Sequence, residues 1–231
     1  MKDKIKQINR GFTLVEMLVV IAIIAVLAGI LVPVIARAKT KAKVATVRIQ
    51  MAELDGAIKS YNNDYERYPM PKTDPADPKV FKPNIWGDSS FHALFGRGHD
   101  NGKVMEILTG NNPSRNPKKN KYLAPKESGA NASTMEGNRM GGVSTEGRYF
   151  DPFGNEFVIS MDKNRDGFCA DNWYAKIGIP GVGLKKELIN NQPAMVLKGS
   201  VMIWTAGPDG LALDSKGAMD GVNADNILHW N

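Results

Sequence analysis

Residues 14–36 read LVEMLVVIAIIAVLAGILVPVIA, 23 positions with Glu16 as the only ionisable side chain. Coiled as a helix they span about 34 Å, enough for a hydrocarbon core of about 30 Å. The pattern then changes. Val44, Val47, Met51, Leu54, Ile58, Tyr61 and Tyr65 recur in alternating steps of three and four, an apolar stripe on one helical face. The two patterns join into one predicted helix over about residues 12–64, weakened slightly by Gly56 and ended by Asn62-Asn63 and then Tyr68-Pro69. A free coiled coil needs a longer repeat than these roughly three heptads, so the domain that follows is expected to cover the stripe.

Residues 69–150 lose this periodicity. Prolines crowd between Pro69 and Pro125 among Asn, Gly and Lys. Phe91-His92-Ala93-Leu94-Phe95 and Val104-Met105-Glu106-Ile107-Leu108 read as helical turns, and residues 111–147 as a long surface excursion, partly mobile. Strand signals come late, in Asn155-Glu156-Phe157-Val158-Ile159-Ser160-Met161 and Val201-Met202-Ile203-Trp204-Thr205, each bounded by Gly, Pro or Asp. Residues 168–199 look like an insertion between them. The chain thus divides into 1–11, a basic N-terminal segment; 12–36, an apolar half-helix; 37–68, an amphipathic half-helix; 69–150, a variable region; and 151–231, an antiparallel sheet with an acidic loop. The expected class is α+β: a long N-terminal helix, membrane-spanning in its first half, packed by its second half on a small antiparallel sheet domain with long loops.

Charge sharpens this division. The 30 Lys+Arg and 24 Asp+Glu give +6, but residues 1–11 carry +3, residues 12–36 carry −1 and residues 37–48 carry +5, leaving the rest at −1. The folded part is near neutral and shows no nucleic-acid-binding motif, so no nucleic-acid partner is expected. A single cysteine, Cys169, excludes internal disulfides and cysteine zinc clusters and reads as a small structural thiol. His92, His99 and His229 have no metalloprotease spacing, and no nucleophile elbow, phosphate loop or dinucleotide fingerprint occurs. No catalytic residue is assigned, and His229 beside Trp230 reads as a packed C-terminal residue.

A carboxylate three positions into an apolar helix costs up to about 3 kcal/mol at depth and calls for a partner or for water at the interface. A secretory signal peptide is disfavoured by the length of the run and by the helical pattern that follows at once; Ala36-Arg37-Ala38 is the small-x-small triplet at its end. Lys6-Gln7-Ile8-Asn9-Arg10-Gly11 followed by Phe12-Thr13-Leu14-Val15-Glu16 and the apolar run resembles the leader of type IV prepilins. The resemblance implies cleavage by a prepilin peptidase after Gly11, methylation of Phe12, and pairing of Glu16 with the N-terminal amine of a neighbour in a helical filament. Such a pair would relieve both desolvation costs. Pro33 lacks an N–H for the Gly29 carbonyl and is expected to kink or loosen the helix. Pilin helices commonly carry such a proline, and membrane helices tolerate them generally.

Further stretches resemble the major pseudopilins of type II secretion. Ala57 to Pro69 is similar to their tyrosine, acidic turn and Tyr-Pro pattern, with Glu66 or Arg67 where a glycine is usual. Asp151-Pro152-Phe153-Gly154-Asn155 is similar to the turn that opens their sheet, with Phe153 in place of Trp. The C-terminal segment resembles their calcium loop. Hard cations want six to eight oxygens from carboxylates, amides and carbonyls. The resemblance makes Asp209 and Asp225 ligand carboxylates and Ala206 a backbone donor. Asn223 stands where Asp is usual, and Asp220 or Asp214 would replace the missing charge. A metal-free Asp/Gly turn region is the alternative. A weaker second site, Asp162-x-Asn164-x-Asp166-Gly167, matches half of an EF-hand loop, but Trp173 stands at the twelfth position where Glu is needed. A plain turn is the alternative there.

The expected function is therefore a non-enzymatic subunit of a type II secretion pseudopilus, single-pass in a bacterial inner membrane. Its N-terminus would be cytoplasmic before processing, its C-terminal domain periplasmic, and the protein would pass into the filament on assembly. Expected partners are further copies of itself, prepilin peptidase, other pseudopilins and an inner-membrane assembly platform. A surface type IV pilin, or a periplasmic enzyme or binding protein tethered by the helix, are the alternatives.

Overall fold

The computed structural model describes residues 12–71, 92–95, 100–163, 165–171, 173–174, 182–189, 192–213, 216–217 and 219–230. The first helix, α1 (Leu14–Tyr65), runs 52 residues without interruption, through Pro33. The chain divides into two units, residues 1–42 and 43–231.

In the first unit the helix presents only exposed side chains, among them Val15, Leu18, Ile21, Ile24, Leu27, Leu31 and Ile35. Exposed apolar residues all round a helix belong to a segment whose solvent is not water, and this stretch is long and apolar enough to cross a membrane.

In the second unit the pattern becomes one-sided. Val47, Met51, Leu54, Ile58 and Tyr61 are fully buried, whereas Ile49 on the opposite face is 59% exposed. The stripe packs with Phe157, Ile159, Met161, Val201, Ile203 and Ile227 in one core cluster. Apart from Phe157, which immediately precedes β4, these come from an antiparallel sheet of β1 (His92–Phe95), β4 (Val158–Asp162), β8 (Val201–Thr205) and β9 (Ile227–Leu228), in that order. Val158 pairs with Trp204 and Ile159 with Ile203. Helix α2 (Gly102–Leu108) adds Val104, Met105, Ile107 and Leu108 to the same cluster.

Both β4 and β8 are buried at every position, the polar Ser160, Asp162 and Thr205 included, which explains why apolar residues fall on both faces of each strand instead of alternating with exposed polar ones. Their second face, with Val158, Met202, Trp204 and Leu228, packs with Cys169, Tyr174, Val182, Leu184 and Met195. That layer belongs to the segment between β4 and β8, which holds the sheet β5 (Phe168–Cys169), β7 (Gln192–Lys198) and β6 (Lys185–Ile189). Tyr174 stacks edge-on to Trp204 and Trp230, with centroids 5.2 and 5.5 Å apart. The buried Asp171 carboxylate accepts from Ser160 Oγ at 2.8 Å, Trp204 Nε1 at 3.2 Å and the N–H groups of Trp173 and Tyr174. The insertion is therefore a structural layer that shields the sheet.

Two expectations are corrected. The stretch His92-Ala93-Leu94-Phe95 is a strand, not a helical turn, because β4 offers it an open edge in antiparallel register. Residues 111–147 are not simply a surface excursion. They contain α3 (Ala132–Asn138) and β2 (Gly142–Val143), paired with β3 (Tyr149–Phe150), and they bury Asn116, Leu123 and Met135. Asn116 is held by Tyr65, whose hydroxyl donates to Asn116 Oδ1 at 2.8 Å, and Tyr61 donates to the Arg115 carbonyl at 2.7 Å. The helix end thus anchors this region through its tyrosines. The turn after α1 does need a left-handed residue. Glu66 supplies it at φ 51°, at the position where a glycine would be unstrained.

Candidate functional site

Two places carry the candidate chemistry, one in each unit. At the start of α1, Thr13 and Glu16 form a reciprocal cap. The Thr13 N–H and hydroxyl donate to Glu16 Oε2 at 2.8 and 2.7 Å, and the Glu16 N–H donates to Thr13 Oγ1 at 3.2 Å. This is a capping box, in which a Thr at the N-cap and a Glu three residues on satisfy each other's orphan donors. The Thr-x-x-Glu spacing before an apolar run is its sequence signature; the sequence reading passed over it. The carboxylate also sits at the positive end of the helix dipole. Phe12 precedes the cap and is 75% exposed. Gly11 lies outside the described residues.

The second place is the C-terminal loop between β8 and β9. Its entrance is fixed from below by the turn at Asp151. Asp151 is fully buried, and its Oδ1 accepts from the N–H groups of Phe153 and Asn155 at 2.8 and 2.9 Å. Burial pushes its carboxyl upward, against those hydrogen bonds. Asn155 Nδ2 then donates to the Gly207 carbonyl at 2.6 Å. Gly207 has φ 67°, and a Cβ there would lie 2.0 Å from the Asp225 carbonyl oxygen. Only a glycine lets the two ends of the loop approach so closely.

Asp209 and Asp225 are brought together. The Asp209 N–H donates to Asp225 Oδ2 at 3.0 Å. Burial, and then the charge of Asp209, push the Asp225 carboxyl above its ordinary range despite that hydrogen bond. Asp225 Oδ1 is shielded from water and has no hydrogen-bond partner. A facing pair of carboxylates with an orphaned oxygen suits a hard cation. Ala206 is buried at the same entrance.

The other expected ligands are placed differently. Asn223, 1% exposed, accepts from the Leu213 N–H at 2.9 Å and donates Nδ2 to the carbonyls of Leu213, Lys216 and Gly217. Its side chain braces the loop. Asp220 is exposed at the N-cap of the 3-10 turn Gly221–Asn223. Asp214 lies outside the described residues. Among the described residues no three His, Cys, Asp or Glu side chains converge into a metal cluster.

At the weaker second site Asp162 is buried, and its two oxygens accept from the N–H groups of Arg165 and Gly167 at 2.8 and 2.9 Å. Asp166 Oδ1 accepts from the Phe168 N–H. These carboxylates organise a turn through φ-positive Arg165 and Gly167. Asn164 lies outside the described residues. Cys169 is fully buried, and burial drives its thiol well up. His229 donates its backbone N–H to Ile203 O at 2.9 Å and brings Nε2 within 3.6 Å of Asp55 on α1.

Residues 6–32 match the prokaryotic N-terminal methylation motif. That motif leads into a capped carboxylate at the head of an exposed apolar helix long enough to cross a membrane, with an α+β domain following in the chain, an arrangement similar to that of membrane-anchored, type IV pilin-like proteins. Within that class the chain is similar to the type II secretion system core protein G of Klebsiella pneumoniae, 44% identical over 63 residues, which is 27% of this chain and 45% of the relative. The core protein G of Klebsiella michiganensis is 41% identical over 64 residues, 28% of this chain and 45% of the relative. The chain therefore spans less than half the length of the curated relatives it matches. These similarities support a type II secretion pseudopilin. No solved structure matches.

Proposed function

We propose that the chain is a structural subunit of a type II secretion pseudopilus and catalyses nothing itself. Prepilin peptidase cuts after Gly11 and methylates Phe12; subunits then leave the inner membrane through an assembly platform and join other pseudopilins in the filament. The domain lies in the periplasm. The observation that carries this reading is the single carboxylate, Glu16, at the head of an apolar helix behind a methylation motif at residues 6–32. In the isolated chain that carboxylate is satisfied by Thr13. Assembly exchanges this local cap for the charged amine of a neighbour, a stronger partner in a medium without water.

Calcium, when bound, would supply a divalent charge that binds carboxylate oxygens. Asp209 and Asp225 would hold it, with the Ala206 carbonyl; their facing arrangement and the orphaned Asp225 Oδ1 support the assignment. Binding to the folded state alone stabilises it by mass action. The test of the filament reading is Glu16→Ala in the full chain. The variant should insert into membranes as the parent does and fail to form filaments; filaments at the parental level would reject the mechanism.

A further inference from the structure

The acidic loop contains a feature that a metal site does not need. Three backbone carbonyls, those of Leu213, Lys216 and Gly217, converge on one atom, Asn223 Nδ2, at 2.8, 3.2 and 3.1 Å. Convergent carbonyl oxygens are what a hard cation ordinarily collects. Here an amide nitrogen with two protons stands at their focus. The orientation of the amide is fixed by its other end, because Oδ1 accepts the Leu213 N–H at 2.9 Å. Turning the group over would set an oxygen against three carbonyls and an NH2 against an N–H. Asn223 is 1% exposed, so these bonds are shielded from competing water.

We propose that Asn223 closes this part of the loop as a built-in substitute for a cation, so that Leu213, Lys216 and Gly217 keep their positions without metal. Asp in its place would bring a carboxylate against three carbonyl oxygens, an arrangement that demands a cation between them. The loop then has two fastenings of different chemistry. Asp209 and Asp225 face each other across its entrance and respond to calcium, while Asn223 holds the far part and does not. This deepens the calcium reading of the same loop and fails separately from it, since calcium at the entrance is read as a melting difference that Asp225→Asn abolishes, and loss of the amide as exchange at Leu213.

The test is hydrogen exchange at the Leu213 amide and its neighbours in the full chain in detergent micelles, with calcium or with chelator. In the parent, the Leu213 amide should exchange at the same rate, within about twofold, under both conditions. Asn223→Ala should speed exchange by about tenfold or more in both, the effect of losing a buried hydrogen bond outright. Asn223→Asp should be protected with calcium and lose that protection with chelator. Chelator opening the parent at Leu213 as far as Asn223→Ala does would overturn the proposal. So would an unchanged rate in Asn223→Ala, or an Asn223→Asp chain indifferent to calcium.

Discussion

Replacing Gly207 by alanine tests whether the ends of the acidic loop meet as described. The added Cβ would lie 2.0 Å from the Asp225 carbonyl oxygen and 2.7 Å from its carbon, and both atoms are backbone. A flexible side chain would turn aside; Asp225 is held, because its carboxylate accepts the Asp209 N–H and the next strand, β9, is paired to β8. Holding alanine at φ 67° costs about 1–2 kcal/mol by itself. Displacing the packed backbone adds about 1–3 kcal/mol. The sum is about 2–5 kcal/mol, and for a unit of this size each kcal/mol lowers the melting temperature by about 2–4 °C. A fall of about 6–12 °C is the central expectation for Gly207→Ala, followed by circular dichroism of the full chain in detergent. Gly221 supplies the control within the same loop. Its φ is 56° and no atom lies within 4 Å of the added Cβ. Gly221→Ala should show backbone strain alone, a fall of about 2–8 °C centred on about 4 °C. Equal melting temperatures for the two variants would refute the close approach of Gly207 to Asp225.

Two further outcomes follow from the charged groups. Asp55 lies 2.6 Å from Lys59 and 3.6 Å from His229; burial acts to raise its carboxyl, but these two partners together hold it below the usual carboxylate value. A depressed carboxyl stabilises the fold above its unfolded pKa and loses that contribution as pH falls through its folded one. Asp55→Asn should therefore cost about 0.5–1 kcal/mol near neutrality, modest because Lys59 is half-exposed, and the gap from the parent should close below about pH 4. A gap of constant size down to acid unfolding would show that the ion pairs contribute nothing. For calcium, chelator should lower the parent's melting temperature, and Asp225→Asn should abolish the difference. An undiminished chelator effect in Asp225→Asn would remove that residue from the site.

Most of the scaffold was legible from residue pattern. The helix announced itself twice, by an uninterrupted apolar run and by a stripe from Val47 to Tyr61 that is buried as the spacing requires. Strands β4 and β8 were legible because β-branched and aromatic residues cluster there. Strand β1 was not, since four residues carry no period and their state is settled by the edge of β4. The layer β5 to β7 was also hidden: Lys185-Lys186-Glu187 looks like surface, and Pro193 argues against a strand. At the helix start, Glu16 stood out by composition, whereas its cap by Thr13 needed the spacing to be read as a capping box. In the acidic loop, the resemblance singled out Asp209 and Asp225, and the fold brings these two residues side by side. The bracing role of Asn223 depends on three carbonyls six, seven and ten residues before it, and no fixed-spacing motif encodes such convergence.

Processing as a filament subunit, as proposed, would show itself most directly in the intact mass of the protein recovered from membranes of cells that contain a prepilin peptidase. The expected species begins at Phe12 and carries one added methyl group on its amine. A chain that begins at Met1 or Ala38, or at an unmodified Phe12, would contradict it.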